Sequence, residues 1–412
     1  MESTKARIRE VYEQTFSRLK EKHIGCFEGM YKPLLLISDT YPGVWLEHVY
    51  DSVMMAKLEP DYLPLAVNTI SLFIDHQTEE GQLPCYVWNG AKVSCPKKDL
   101  VGYAQIQECV SFPRLCVEVC RMADDRALWE KCYAAAKNWD RWLRANRMTT
   151  KRGLIEMFVG YDTGHDESGR LAGLRCPGNY VKDGVRQNAA VLPENDPAAP
   201  ILAVDMNCNF YGTQTALQEM AEELGYSAEA AEWREKAKAV KKALFARCYD
   251  ENDGFFYDED KNGEKRRFRS STIFHLFLER VLDPEEDREK IDVIYKNYIT
   301  NPKEFGTPYP FPSMSVSDPS WKKHTPKNCW GYFSQGLIAF RCTRWMDAYG
   351  WKEDFDRLCE IWVDTWTKYF DTLHMGQELD PITGVPSASS EWYSSTMLFY
   401  VYAVRRLGLL ND

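Results

Sequence analysis

The chain of 412 residues is long enough for one large domain or two. Its 61 acidic residues outnumber 51 basic ones, a net charge of -10, which argues against a nucleic-acid partner, since phosphates demand a basic face. No apolar run approaches the roughly 18 residues that span a bilayer, so no membrane partner is expected either.

Helical periodicity runs from end to end. Ile8, Val11, Tyr12, Phe16 and Leu19 fall on one face of a first helix. This stretch is charged and amphipathic, unlike a signal peptide. An extended segment (Tyr31 to Ile37) follows, and Trp45 to Ser52 opens a second helix. A third is expected over 62–76, ending in the turn Gly81-Gln82-Leu83-Pro84. Further helical runs cover 105–122, 126–147, 206–224, 227–247, 270–281, 286–299, 332–349, 352–371 and 392–407. Short turns, as at Gly225 and Gly350, alternate with long aromatic-rich loops, and almost no strand is expected. About twelve helices in consecutive pairs describe an all-α, (α/α)6 toroid whose inner helices surround a cavity and whose long loops build its mouth. An elongated solenoid of hairpins fits less well, because no repeat of fixed length is present. No linker-like break splits the chain, so one domain over 1–412 is expected. Its longest irregular connection, Gly169 to Ala203, directly follows an acidic loop and reads as a wall or lid of the cleft.

The 13 cysteines are scattered, with no C-x-x-C pair and no histidine at metal-ligand spacing. Reduced thiols in a cytoplasmic protein without metal or cofactor are the expectation. Chemistry concentrates instead in two acid-bearing loops. The first is Gly160-Tyr161-Asp162-Thr163-Gly164-His165-Asp166-Glu167-Ser168-Gly169-Arg170; the second is Gln377-Glu378-Leu379-Asp380-Pro381-Ile382-Thr383-Gly384. Either could be a plain turn whose Asp and Ser side chains bond their own backbone. Together, beside Tyr161 and His165 and in a chain that is 13% aromatic, they suggest a paired-carboxylate enzyme working on sugar. Inverting glycoside hydrolysis needs one protonated carboxyl for the leaving oxygen and one carboxylate for a water, roughly 6.5–9.5 Å apart.

The first loop resembles the E-[ST]-G-x-D-x-S-x-R segment of the (α/α)6 α-glycosidases: the trehalases, the processing α-glucosidase I group (glycoside hydrolase family 63) and the mannosylglycerate and glucosylglycerate hydrolases. The resemblance implies that Asp166 is the general acid. Glu378 to Gly384 resembles the E-x-Y-[ND]-P-x-T-G motif, which implies Glu378 as general base. Weaker echoes keep the same order: Trp45 to Ser52 for W-x-W-D-S, Gly81 to Pro84, Gln107, Asp205-Met206-Asn207, Pro312-Ser313-Met314 with Asp318-Pro319, and Glu391-Trp392-Tyr393-Ser394. By the same likeness Trp45, His48, Asp51, Gln107, Tyr161, Asp162, Trp330 and Trp392 would contact the substrate. Each has a plainer reading: Asp162 as a cap, Asp51 as a charge favouring the helix dipole, the histidines as hydrogen-bonding groups, the tryptophans as core. Two departures fall where the sugar would be held. The W-R-G-P segment reads Cys329-Trp330-Gly331-Tyr332, without its Arg, and His48 replaces an aromatic residue.

The implied activity is inverting hydrolysis of an α-glucoside or α-mannoside of a small molecule or short oligosaccharide. For Asp166 to be protonated, burial or a neighbouring carboxylate such as Asp162 must raise its pKa. Arg175, Lys182 and Arg186 are either solvated charges or contacts for an anionic aglycone. The rivals are a sugar epimerase of the N-acylglucosamine 2-epimerase type, which shares this barrel and relies on histidines, and a non-catalytic carbohydrate-binding protein. A homo-oligomer is left open.

Overall fold

The computed structural model describes residues 2–26, 32–38, 41, 43–88, 100–166, 168–174, 188–194, 196–321, 330–388 and 390–410. Among them are twelve α-helices: α1 (Glu2–Lys22), α2 (Val49–Leu58), α3 (Leu63–Asp75), α4 (Phe112–Ala123), α5 (Arg126–Asn146), α6 (Val204–Leu224), α7 (Ser227–Cys248), α8 (His275–Leu278), α9 (Arg288–Ile294), α10 (Gly336–Arg341), α11 (Lys352–Tyr369) and α12 (Ser394–Arg406). The starts follow local chemistry. Ser111 accepts from Arg114 N to cap α4, and Asp125 accepts from Ala127 N and Leu128 N to cap α5. Gly225, at φ +82°, turns α6 back along α7 in a left-handed conformation that a side chain would strain.

The even-numbered helices form an inner ring. Helix α2 packs on α4 and α12, α4 on α6, α6 on α8, and α10 on α12. The odd-numbered helices form an outer layer, and α1 closes the ring by packing on α11 and α12. This is the expected (α/α)6 toroid. Trp139, Trp345, Trp362 and Trp366 are among its largest fully buried side chains, so much of the aromatic content is core. No helix among the described residues is long and apolar enough to cross a membrane. The described cysteines are all buried except Cys26.

Four expected helices are shorter than their periodicity suggested; one of them, 270–281, splits into a 3-10 turn (Ser271–Phe274) and the four-residue α8. Residues 105–111 form an irregular bend and turn, because the backbone N–H groups of Ile106 and Glu108 bond to Asp162 instead of closing a helical turn. The run 332–349 breaks into the strand Ser334–Gln335, the short α10 and two 3-10 turns. The run 286–299 leaves α geometry at Tyr295 for a π-turn. Eleven strands of two or three residues make five small sheets among the described residues, where almost none was expected. Strands this short leave no alternation to detect.

Inner helices α2, α4, α6, α10 and α12 all begin at the end of the ring where the acidic loops lie. Asp51 of α2 meets Ser394 and Ser395 of α12 there, and Asp205 of α6 meets Arg170. At the opposite end a basin of about 780 Å³ is lined by Lys57, Arg114, Glu118, Arg121, Glu279 and Arg344. Cations there offset the negative ends of the helix dipoles. The connection from Gly169 to Ala203 is pinned at its ends by Arg170, which pairs with Asp205 and Asp258, and by a bridge between Ile201 and Met157. Arg175, Lys182, Arg186 and His324 lie outside the described residues.

Candidate active site

The acid loop is built around Asp162. A 3-10 turn (Gly160–Thr163) ends at Gly164, whose φ is +73°. A Cβ there would sit 3.2 Å from Glu47 Oε2, so the loop lies directly on the inner end of α2. Asp162 is fully buried. Its Oδ1 accepts from Ile106 N (3.0 Å) and Arg147 Nη2 (3.2 Å). Its Oδ2 accepts from Arg147 Nη1 (2.7 Å), Phe158 N (2.8 Å) and Val159 N (3.1 Å). With both oxygens committed, Asp162 clamps two backbone segments and the Arg147 side chain and has nothing left for a sugar hydroxyl. Its expected place among the substrate contacts is thereby corrected. Arg147 neutralises it, so it is not the like-charged neighbour expected for Asp166 either. Asp166 lies four positions on and is exposed, with its carbonyl accepting from Trp330 N at 3.1 Å.

The second loop is a two-stranded platform. Ser334–Gln335 pairs antiparallel with Glu378–Leu379, placing Gln335 opposite Glu378. Gln335 Nε2 donates to Glu378 Oε1 at 2.6 Å and Ser387 Oγ to Oε2 at 3.0 Å. Glu378 is fully buried. Asp380 is the turn residue behind it, accepting from Ile382 N and Thr383 N. The short segment from Trp330 to Gln335 therefore touches the acid loop at one end and the second acid at the other.

Around these acids the remaining expected residues divide. Trp45 is half-buried in an aromatic group with Tyr41 (5.3 Å), Tyr86 (5.5 Å) and Trp88 (5.3 Å). Gln107 is buried, and its Oε1 has no hydrogen-bond partner among the described residues. Tyr161 is half-buried on the acid loop. His48 Nε2 bonds Tyr393 Oη at 2.6 Å, and burial, helped by Arg341, drives its pKa down to about 3. Asp51 is held by the hydroxyls of Ser394 and Ser395, and burial, opposed by those bonds, pushes it up to about 7. Its oxygens thus join the start of α2 to the start of α12. Trp330 is buried and stacked on His165 at 4.0 Å. Trp392 departs furthest from expectation: its ring stacks on His374 (4.8 Å) and carries the Arg18 guanidinium at 4.0 Å, which ties it to α1 and the end of α11.

Sequence reading missed Arg147, Glu47, Arg341, Gln335 and Ser387. Glu47 is buried beneath the acid loop, accepting from Arg341 Nη2 at 3.2 Å, and burial raises its pKa against that guanidinium. The detectable signal was a lone charge in an apolar run, Arg341 in Leu337-Ile338-Ala339-Phe340-Arg341, and a polar pair, Ser334-Gln335, after three aromatics. His165 and His275 lie 6.2 Å apart and are both held well below the ordinary imidazole range, chiefly by burial. The cavity they line holds about 10 Å³, room for one water and not a sugar. That removes the geometric basis for histidine-driven epimerisation there. Among the described residues no group of three or more His, Cys, Asp or Glu is placed to hold a metal ion.

Comparison with known proteins gives a family and a fold. Residues 48–394 match the model of the mannosylglycerate hydrolase MGH1-like glycoside hydrolase domain. A glycoside hydrolase family 63 mannosylglycerate hydrolase from Thermus thermophilus, solved with Tris, superposes with a TM-score of 0.73 at 14% identity, over 95% of this chain and 99% of that one. The neutral trehalase of Saccharomyces cerevisiae gives 0.65 at 13% identity, over 91% and 73%. A metal-independent α-mannosidase of Streptococcus pneumoniae gives 0.59 at 12%, over 98% and 94%. An uncharacterised protein of Borreliella burgdorferi is 27% identical over 120 residues, 29% of this chain and 24% of that protein's length.

Proposed function

This chain belongs to the mannosylglycerate hydrolase MGH1-like glycoside hydrolase family, and from that premise we propose that it hydrolyses an α-glucoside or α-mannoside of a small molecule or short oligosaccharide with inversion. Asp166 protonates the leaving oxygen and Glu378 activates the water from the opposite side. The observation that carries this reading is the Trp330–Gln335 segment, which bonds the Asp166 carbonyl at one end and the Glu378 carboxylate at the other. It supports a common cleft for two acids far apart in sequence. Exposure suits Asp166 to meet a leaving group that departs towards solvent, while Glu378 is buried and oriented by two donors, as a base must be. Five inner-helix N-termini converge here, and their positive dipole ends favour the ionised Glu378 that a base requires. The Trp45 aromatic group offers a flat apolar platform and Gln107 an unpaired acceptor for a sugar hydroxyl.

The Thermus relative makes an α-mannoside of glycerate the first substrate to try, followed by glucosylglycerate, trehalose and aryl α-glycosides. Proton NMR in the opening minutes should show the β-anomer first. Asp166→Asn should lose about 10²–10⁴-fold on poor leaving groups and little on glycosyl fluorides, whereas Glu378→Gln should lose as much on every substrate. Release of the α-anomer first would overturn the mechanism, because retention requires carboxyls only about 5–5.5 Å apart and a nucleophilic Glu378.

A further inference from the structure

Among the described residues Glu378 accepts from two neutral donors, and the nearer one is an amide. A carboxylate only accepts, so the Gln335 nitrogen must face it and the Gln335 oxygen must point elsewhere. That oxygen belongs to a residue only 1% exposed and finds no hydrogen-bond partner among the described residues. Buried acceptors left unpaired are rare in native proteins, and an ordered water is their usual partner when no protein donor reaches them. The nitrogen and oxygen of one carboxamide lie about 2.2 Å apart, which puts Gln335 Oε1 within about 5 Å of Glu378 Oε1. One water spans such a gap with two ordinary hydrogen bonds. The amide is also well anchored. Gln335 lies opposite Glu378 in the strand pair, and the next residue, Gly336, packs so closely on α12 that a Cβ would fall 2.1 Å from Thr396 Oγ1.

We propose that Gln335 is a water-positioning residue: its amide nitrogen orients Glu378, and its amide oxygen takes the second hydrogen of the water that Glu378 activates. The proposal rests on Glu378 being the base. With both hydrogens held, the water directs a lone pair at the anomeric carbon. As the new carbon–oxygen bond forms, the bond to the aglycone breaks. Its electron pair stays on the leaving oxygen, which takes the Asp166 proton. Glu378 takes the hydrogen it holds, and the hydrogen on Gln335 stays with the oxygen as the product's anomeric hydroxyl.

The test combines kinetics with a crystal structure of the unliganded protein. The probes are α-D-glucosyl and α-D-mannosyl fluoride, whose departure needs no acid, so the rate reports the water side alone. Gln335→Met, close in size and unable to donate, should lower kcat roughly 10–100-fold with KM changed less than about twofold. The acidic limb of its kcat profile should move to higher pH, because Glu378 loses a hydrogen bond that favours its ionised form. Gln335→Glu should move that limb further, by placing a second carboxylate against Glu378. The crystal structure should show one water within about 3.2 Å of both Gln335 Oε1 and a Glu378 oxygen. A Gln335 oxygen bonded to a protein donor, or a dry shared position, would overturn the proposal without any substrate. So would Gln335→Met retaining wild-type kcat and pH profile while Glu378→Gln is inactive. Full activity of Glu378→Gln on the fluorides would instead overturn the base assignment.

Discussion

Asp162→Ala tests how the loop carrying the proposed general acid is held. The substitution removes the partner of Arg147, which is itself 0% exposed, and leaves the N–H groups of Ile106, Phe158 and Val159 without an acceptor. Arg147 keeps only neutral partners, the carbonyls of Ala189 and Glu156. Breaking a buried ion pair from one side typically costs about 3–5 kcal/mol, and that is the expected loss in urea unfolding. Asp162→Asn should be nearly as damaging. The donors are divided between the two carboxylate oxygens, and an amide nitrogen at either place turns an acceptor into a donor facing donors. Removing both charges, as Arg147→Met with Asp162→Ala, should be less destabilising than the two single losses added together, since each charge is harmful mainly when unpaired. Activity of Asp162→Ala should fall with little change in KM, because the loop carries Asp166. A loss below about 1 kcal/mol, typical of an exposed pair, would refute the clamp.

Three further outcomes are expected. Burial, opposed by the Trp139 N–H and reinforced by Glu279, lifts Glu108 to about 8 from an ordinary 4.5; the unfolded chain binds fewer protons throughout that window, so this group's contribution falls as pH rises through it, and Glu108→Gln should flatten the stability profile between those values. Trp392→Ala should lower the thermal midpoint without altering KM, while Trp45→Ala should raise KM, measured on the best α-glycoside; a KM effect at Trp392 would return it to the substrate site. Gly384→Ala would place a Cβ 2.1 Å from the Tyr309 ring at φ +69°, so the turn behind Glu378 should shift, costing more than about 1 kcal/mol and lowering kcat.

The sequence by itself determined the helix series and its pairing, because long helices carry a 3.6-residue apolar period and glycines such as Gly225 mark their ends. It also singled out both candidate acids, since a loop cannot hide a carboxylate among glycines and aromatics as a helix face can. Tertiary structure alone decided which polar residues are committed to bonds within the scaffold and which stay exposed. Asp162 and Asp166 are four residues apart in one motif, yet the first is consumed by Arg147 and three backbone groups while the second is exposed. Trp330 and Trp392 read alike as aromatics beside acidic loops, but one stacks on His165 and the other on His374 near α1. The pairing of Gln335 with Glu378 depends on a strand of two residues, too short to leave a period. Partners of this kind are fixed by how distant segments close the ring, and no local spacing records that.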